Sequence, residues 1–165
     1  MLKYDQADDI VMSRPIISKI LVPMDGSENA FRAATFALDL ASKYGAELQV
    51  IHILELNPNI AAMGYYGVPV AKEIPIMQEE AKKQAETWFE HIKKQANDAH
   101  VRMESKIIVE FPLTLVGEIV NYAEQNGISM IVMGSRGRTG FKKLLLGSVA
   151  SGVVTYAPCP VLVIK

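Results

Sequence analysis

The sequence predicts one α/β domain built on a doubly wound parallel sheet. Two observations predict it. Short runs rich in Val, Ile and Leu alternate along the chain with segments in which apolar residues recur at helical spacing. These runs are continuous, as in strands buried on both faces, and strands that alternate with helices are typical of parallel sheets with helices on both faces. The length, 165 residues, suits one domain.

The first strand and the first helix are separated by a polar turn. Residues 19–23 form the apolar run, which ends at Asp25-Gly26-Ser27. Ser27 can cap a helix predicted over 28–44, and Gly45 is a natural end for that helix.

The second strand is predicted over 48–54 and is followed by a long segment without helical spacing. Residues 55–75 contain several glycines and prolines, which predicts a loop. A second helix follows, and its apolar face carries Ala81, Ala85, Trp88, Ile92 and Ala96. The spacing of these residues favours core packing for Trp88.

The second half of the chain repeats the alternation. It predicts a strand over 103–109, a helix that ends at Gly127 and a strand over 129–133. A short helix over 148–156 and a last strand over 160–164 complete five strands. In such sheets ligands bind beyond the carboxyl ends of the strands, where the strand order reverses.

Charge and composition exclude several classes of function. The chain has 17 basic and 18 acidic residues, whereas nucleic-acid binders usually show a basic excess. The acidic N-terminus lacks the features of a signal peptide, and no apolar stretch reaches membrane-spanning length. We therefore expect a cytoplasmic protein that binds neither nucleic acid nor membrane. We interpret residues 1–17 as an N-terminal arm and residues 18–165 as the folded domain.

The segment from Gly134 to Ser148 has the chemistry of a phosphate cradle. Glycines permit close approach of a ligand, and the N-terminus of the following helix presents free N–H groups to an anion. Positive charge comes from Arg136, Arg138, Lys142 and Lys143. The alternative is that the glycines only form tight turns. The segment is neither a Walker A loop nor a Rossmann Gly-x-Gly-x-x-Gly motif.

The spacing within this segment is Gly, two residues, Gly, nine residues, Gly, then Ser. The residues that carry it are Gly134, Gly137, Gly147 and Ser148. This spacing resembles the signature of the ATP-binding branch of the universal stress protein family. The resemblance extends over nearly the whole chain from Lys19, including the first strand with its Pro-x-Asp turn.

The resemblance implies a five-stranded parallel sheet in the order 3-2-1-4-5 that binds ATP. Mg²⁺ would be carried by the phosphates, because Mg²⁺ commonly has few protein ligands. Relatives pair through the last strand. This strand is apolar here and would lie at a sheet edge, so we expect a homodimer. The resemblance also implies a regulatory role that involves a protein partner.

Individual site residues follow from their positions in the family's motif. The adenine and ribose would border Pro23, Met24 and Asp25. The adenine pocket would be lined by Ile53 and Met133. The ribose and phosphates would lie beside the first part of the loop, formed by Gly134, Ser135, Arg136 and Gly137. The phosphates would meet the backbone N–H groups of Gly147, Ser148, Val149 and Ala150.

Two positions depart from the family pattern. Ala150 stands where relatives carry a hydroxyl, which removes one side-chain contact to phosphate. Glu110-Phe111-Pro112 also departs, which concerns the turn after the third strand and not the loop.

Several residues have structural alternatives. Asp25 could serve only as a capping carboxylate. His52 lies within an apolar strand and is expected to be a core residue. The spacing of the three histidines does not indicate zinc.

Three functions are compatible with these residues. A regulatory module that holds ATP is favoured, because no general base, Ser-His-Asp arrangement or pair of carboxylates is evident. A slow ATPase or nucleotidyl-transfer enzyme is the alternative. A phospho-acceptor receiver domain ranks last, because Asp25 stands alone. Residues 55–75 are expected to form a lid ordered by ATP, or else a surface excursion without a role.

Overall fold

A computed structural model describes residues 17–54, 73–109, 114–138 and 146–165. The strands are β1 (Lys19–Pro23), β2 (Glu47–Ile53), β3 (Met103–Ile108), β4 (Met130–Gly134) and β5 (Val161–Ile164). The helices are α1 (Glu28–Tyr44), α2 (Glu73–Asp98), α3 (Leu115–Gln125) and α4 (Ser148–Tyr156). The predicted N-terminal arm lies outside the described residues except for Ile17, as do the predicted turn at 110–112 and residues 55–72.

The strands form one parallel sheet in the order β3-β2-β1-β4-β5, which confirms the predicted fold. The chain moves outward from β1 to β3, then crosses to β4 on the other side of β1. The order therefore reverses between β1 and β4, whose carboxyl ends are neighbours. Helices α1 and α4 begin at this edge, so their N-termini face the crevice in which ligands of such sheets bind.

Helices cover the sheet on both faces and bury two apolar clusters. One cluster joins α1 and α2 to the sheet, and the other joins α3 and α4 to it. The buried face of α1 is mostly small and consists of Ala30, Ala33, Ala34, Ala37, Leu38 and Ala41. These side chains let the helix axis approach the sheet closely.

Strand β3 corrects the expectation that the strands are buried on both faces. Glu104, Ser105 and Lys106 are exposed, and only Ile108 is buried. The reason is topological. β3 is an edge strand that pairs only with β2 among the described strands.

The start of α2 corrects the predicted end of the long loop. The helix begins at Glu73, so residues 73–75 are helical. Pro75 lies in the first turn, where a missing N–H costs no helical hydrogen bond. The helix has 26 residues and is about 39 Å long, whereas β2 has seven residues and spans about 23 Å. Its buried residues are Ala85, Phe89, Ile92 and Ala96.

Candidate functional site

The turn after β1 completes the N-terminus of α1 with side chains of its own. The Ser27 hydroxyl accepts a hydrogen bond from the backbone N–H of Ala30 at 3.2 Å. The Asp25 carboxylate accepts one from the N–H of Ser27 at 2.9 Å through Oδ1. Gly26 between them has φ +79°, a conformation that glycine adopts without strain. The predicted cap at Ser27 is therefore confirmed, and Asp25 supports the same turn.

The loop after β4 is joined at its two ends. The Ser135 N–H donates to the Ile164 carbonyl of β5 at 2.7 Å, and the Gly147 N–H donates to the Ser135 carbonyl at 2.7 Å. Helix α4 then begins with Gly147 as its N-cap, and no side chain caps it. The first turn of α4 therefore presents backbone N–H groups that no side chain among the described residues satisfies, a typical setting for an anion.

Asp25 connects the two turns. Its Oδ2 atom accepts a hydrogen bond from the backbone N–H of Arg138 at 3.0 Å. Gly137 lies directly beside this contact, because a Cβ built on Gly137 would be 2.6 Å from the same Oδ2. The carboxylate thus has a partner on each oxygen, one in each turn. Sequence reasoning did not find this link, since 113 positions separate Asp25 from Arg138.

The other two glycines of the motif meet different neighbours. A Cβ on Gly134 would lie 2.9 Å from the carbonyl carbon and the Cβ of Asn29, in the first turn of α1. A Cβ on Gly147 would lie 3.2 Å from the Ser135 carbonyl oxygen. The packing of α1 against β4 therefore requires glycine at position 134. At position 147 a side chain would be restricted by the Ser135 carbonyl group of the same loop.

Two polar atoms of the loop are buried without a hydrogen-bond partner among the described residues. They are Oγ of Ser135 and Nε of Arg136. Ser135 is fully buried, and the hydroxyl of a buried serine is ordinarily paired. These atoms are adjacent in the chain and belong to the predicted phosphate cradle. A ligand with oxygen acceptors fits a site that holds such unsatisfied donors.

Apolar residues from three elements near this edge belong to one buried cluster. Ile53 ends β2 and Met133 lies near the end of β4, and both are buried. They belong to the cluster that also includes Val149 and Ala150 of α4. Four predicted site residues therefore belong to one apolar cluster on the face of the sheet that α3 and α4 cover.

Met24 does not join that group. Its side chain is buried in the cluster under α1 and α2, on the opposite face of the sheet. Its backbone is also engaged, since its N–H donates to the Ile51 carbonyl at 2.8 Å. Pro23, the last residue of β1, is half-buried beside it. Met24 therefore anchors the turn after β1 in the core between the sheet and helices α1 and α2.

His52 and Trp88 are more than core residues. His52 is half-buried, and its Nδ1 lies 2.7 Å from the carbonyl oxygen of Met24. Its ring meets the indole of Trp88 edge to face, with centroids 5.3 Å apart. Trp88 packs on the core cluster as predicted, but its six-membered ring also lies against Gly26. Both side chains therefore contact the turn that carries Asp25.

A second group of charged residues lies at the opposite edge of the sheet. Within residues 17–54, 73–109, 114–138 and 146–165, no three His, Cys, Asp or Glu side chains are grouped so as to hold a metal ion. A polar cavity of about 620 Å³ lies near the amino ends of the strands, around Glu47, His100 and Arg102. There Arg102 contacts Glu104 at 2.8 Å and Glu47 at 3.8 Å, and these carboxylates raise the pKa of the guanidinium.

No helix in the described part of the chain has the length and apolar character needed to cross a bilayer.

Comparison with known proteins gives a consistent result. The sequence profile of the Universal stress protein family matches residues 17–165. A universal stress protein of Methanocaldococcus jannaschii, MJ0531, is 32% identical over 165 residues, which cover 99% of this chain and 92% of that protein.

Solved structures show the same similarity. The structure of MJ0577 from the same organism matches with a TM-score of 0.74 at 30% identity, covering 91% of this chain and 96% of that one. The universal stress protein from Archaeoglobus fulgidus, solved in complex with dAMP, matches with a TM-score of 0.60 at 26% identity. That match covers 91% of this chain and 99% of the A. fulgidus chain.

Proposed function

The chain belongs to the universal stress protein family, and we propose on that basis that it is a regulatory module that binds MgATP at the edge between β1 and β4. The observation that carries the proposal is the start of α4. There an uncapped helix N-terminus lies beside two buried, unpaired polar atoms of the glycine-rich loop. Phosphate oxygens would satisfy both kinds of donor.

The phosphate end of the ligand would lie at residues 134–137 and 147–150. The backbone N–H groups of Ser148, Val149 and Ala150 are the first of α4, and the helix dipole favours an anion in front of them. The Ser148 side chain is exposed and free to turn towards a phosphate oxygen. Ala150 has no hydroxyl to offer, so its contribution would be its N–H alone.

The base would occupy the apolar side of the same crevice. Ile53 and Met133 are suited to the face of a purine, and their burial behind the loop would exclude water from it. The A. fulgidus relative in complex with dAMP supports an adenine nucleotide as the ligand class. Asp25 would border the ribose, because its carboxylate lies between the turn after β1 and the loop.

Magnesium would enter with the nucleotide. The proposal assigns Mg²⁺ to the phosphates of ATP, since Mg²⁺ often keeps several waters and takes one or two protein ligands at most. A slow ATPase is distinguished from a binding module by incubating the protein with MgATP. Product that stops at one equivalent or below indicates a binding module, and repeated turnover indicates an enzyme.

Calorimetry with a series of ligands tests the proposal directly. ATP with Mg²⁺ should bind more tightly than GTP because of the apolar base pocket, and more tightly than adenosine because of the anion site at α4. Equal or stronger binding of GTP would contradict the adenine assignment. Equal binding of adenosine and ATP would contradict the phosphate cradle.

Strand β5 lies at one edge of the sheet and offers a surface for assembly. We propose a homodimer through β5, since this short edge strand is apolar and only half-buried in the monomer. Exposed Tyr156 and Val154 of α4 add apolar surface near the end of the chain. Sedimentation should show a dimer at micromolar concentration. A cytoplasmic location and a protein partner that reads the nucleotide state complete the proposal.

A further inference from the structure

The indole of Trp88 lies against the backbone of the turn that carries Asp25. A Cβ built on Gly26 would overlap Cζ2 of Trp88 and would lie 2.6 Å from its Cε2 and Cη2 atoms. The ring therefore occupies the space that any side chain at position 26 would need. Contact this close to backbone restricts where the turn can lie.

His52 fixes the other side of Asp25. Its Nδ1 lies 2.7 Å from the Met24 carbonyl oxygen, and because a carbonyl only accepts, this nitrogen carries a proton. The imidazole meets the Trp88 ring edge to face, with centroids 5.3 Å apart and planes at 85°. The two rings thus support each other, and each touches a different neighbour of Asp25.

Trp88 is itself held by the core. It lies on α2 between Ala85 and Ile92, both fully buried under the sheet. Its own side chain is partly exposed, because it reaches beyond the carboxyl end of β1 to Gly26. Leucine would satisfy a position that only fills the core, whereas contact with both Gly26 and His52 requires a large planar ring.

We propose that Trp88 is a positioning residue for nucleotide binding, acting through Gly26 on the Asp25 carboxylate. The proposal rests on the function proposed above. Gly26 adjoins Asp25 in the chain, and the carboxylate must reach the N–H of Ser27 and the N–H of Arg138 at once. Loss of the indole lets the turn relax towards α2, so the bond to Arg138 weakens and the glycine-rich loop loses its link to β1.

The test compares Trp88→Leu with Phe89→Leu. Phe89 is the next residue of α2 and is buried in the same cluster, so it serves as the matched control for lost core packing. The first readout, which needs no ligand, is the backbone amide chemical shift of Arg138. Trp88→Leu should move it towards its position in Asp25→Ala, where the hydrogen bond cannot form, and Phe89→Leu should not.

Nucleotide affinity is the second readout. Trp88→Leu should weaken ATP binding by about threefold to tenfold, the range expected for one lost aromatic contact, and Trp88→Phe should recover part of it. Phe89→Leu should lower the urea midpoint without this loss of affinity. Trp88 is the single tryptophan of the chain, so the wild-type emission should also change during an ATP titration, with the midpoint found by calorimetry.

The outcomes separate the two proposals. A wild-type protein that binds no adenine nucleotide refutes the proposed function, and the Arg138 shift still tests the link from Trp88 to Asp25. A wild type that binds ATP, together with a Trp88→Leu variant of equal affinity and an unmoved Arg138 amide, overturns the positioning role alone. Equal effects of Trp88→Leu and Phe89→Leu on both readouts also overturn it, since they would reflect general loosening of the core.

Discussion

Helices α1 and α4 begin at the same carboxyl edge of the sheet, on its opposite faces, yet their N-termini are completed in different ways. Every helix leaves its first four N–H groups without partners in the helix. In α1 the Ser27 hydroxyl accepts from Ala30, and Asp25 accepts from Ser27. In α4 the cap is Gly147, which has no side chain. The start of α1 is therefore completed by side chains of its own turn, whereas the start of α4 is not, and we propose that the second serves ligand binding.

The largest effect is expected where the two turns meet. Gly137→Val should weaken ATP binding by about 100-fold, or about 2.7 kcal/mol, because the new side chain displaces the Asp25 carboxylate and intrudes on the ligand. The domain should stay folded, since Gly137 is exposed. Calorimetry and urea unfolding measure the two effects. Gly117→Ala in α3 is the control. Normal ATP affinity of Gly137→Val would contradict the proposal that this part of the loop contacts the nucleotide.

The next prediction compares the effects of Gly134, which lies beside α1, and Gly147, the N-cap of α4, on the free energy of unfolding. Gly134→Ala should lower the free energy of unfolding by about 1–3 kcal/mol, because its Cβ would meet the backbone of Asn29 at 2.9 Å. Gly147→Ala meets one carbonyl oxygen at 3.2 Å and should cost less. Urea unfolding without nucleotide gives both values. A larger cost at Gly147 would mean that the start of α4 is also a structural element.

The caps themselves provide the third prediction. Ser27→Ala should destabilise the nucleotide-free domain by about 1 kcal/mol through the lost cap of α1. Ser148→Ala should change its stability by less than about 0.5 kcal/mol, because the Ser148 side chain is exposed and makes no hydrogen bond within the described residues. The same urea experiment tests both. Similar losses at the two serines would contradict the contrast between the helix starts.

The smallest effect is expected when the N-cap of α4 is given a side chain like that of α1. Gly147→Ser supplies a hydroxyl that can accept from Ala150, so the nucleotide-free domain should be more stable than that of Gly147→Ala, which carries the same Cβ, by about 0.5 kcal/mol. The same hydroxyl would compete with phosphate and weaken ATP binding. Thermal unfolding without ligand measures the stability, which should exceed that of Gly147→Ala, and calorimetry measures the affinity for ATP, which should fall. Tighter binding by this variant would show that the missing cap has no role in anion recognition.

Much of the fold could be predicted from the sequence, because hydrophobic spacing and capping residues act locally. The bounds of α1 and α4 were predicted correctly, and the strand order suggested by the motif was confirmed. The prediction for β3 was wrong about burial, since exposure there depends on which strand ends at the edge of the sheet. The start of α2 was placed too late because Pro75 was interpreted as a loop residue.

The internal links of the site could not be predicted. Gly137 and Asp25 come together only when β4 lies beside β1, and Trp88 meets Gly26 only when α2 packs on the same face as α1. Helical spacing places Trp88 on the core side of α2, but it does not indicate how far along the sheet the ring extends. The structure gives the positions of the motif residues around one edge of the sheet. Their contacts with a ligand stay predictions.

The charged face of β3 has a consequence for the growth of assemblies. A two-fold axis beside β5 would join two sheets into one of ten strands, and both outer edges of that sheet would then be β3. Glu104 and Lys106 are exposed there, and charges on an edge strand oppose pairing with a further chain. Pairing through β5 would thus stop at two copies. Replacing these charges with apolar residues would open a route from a closed pair to an extended fibre.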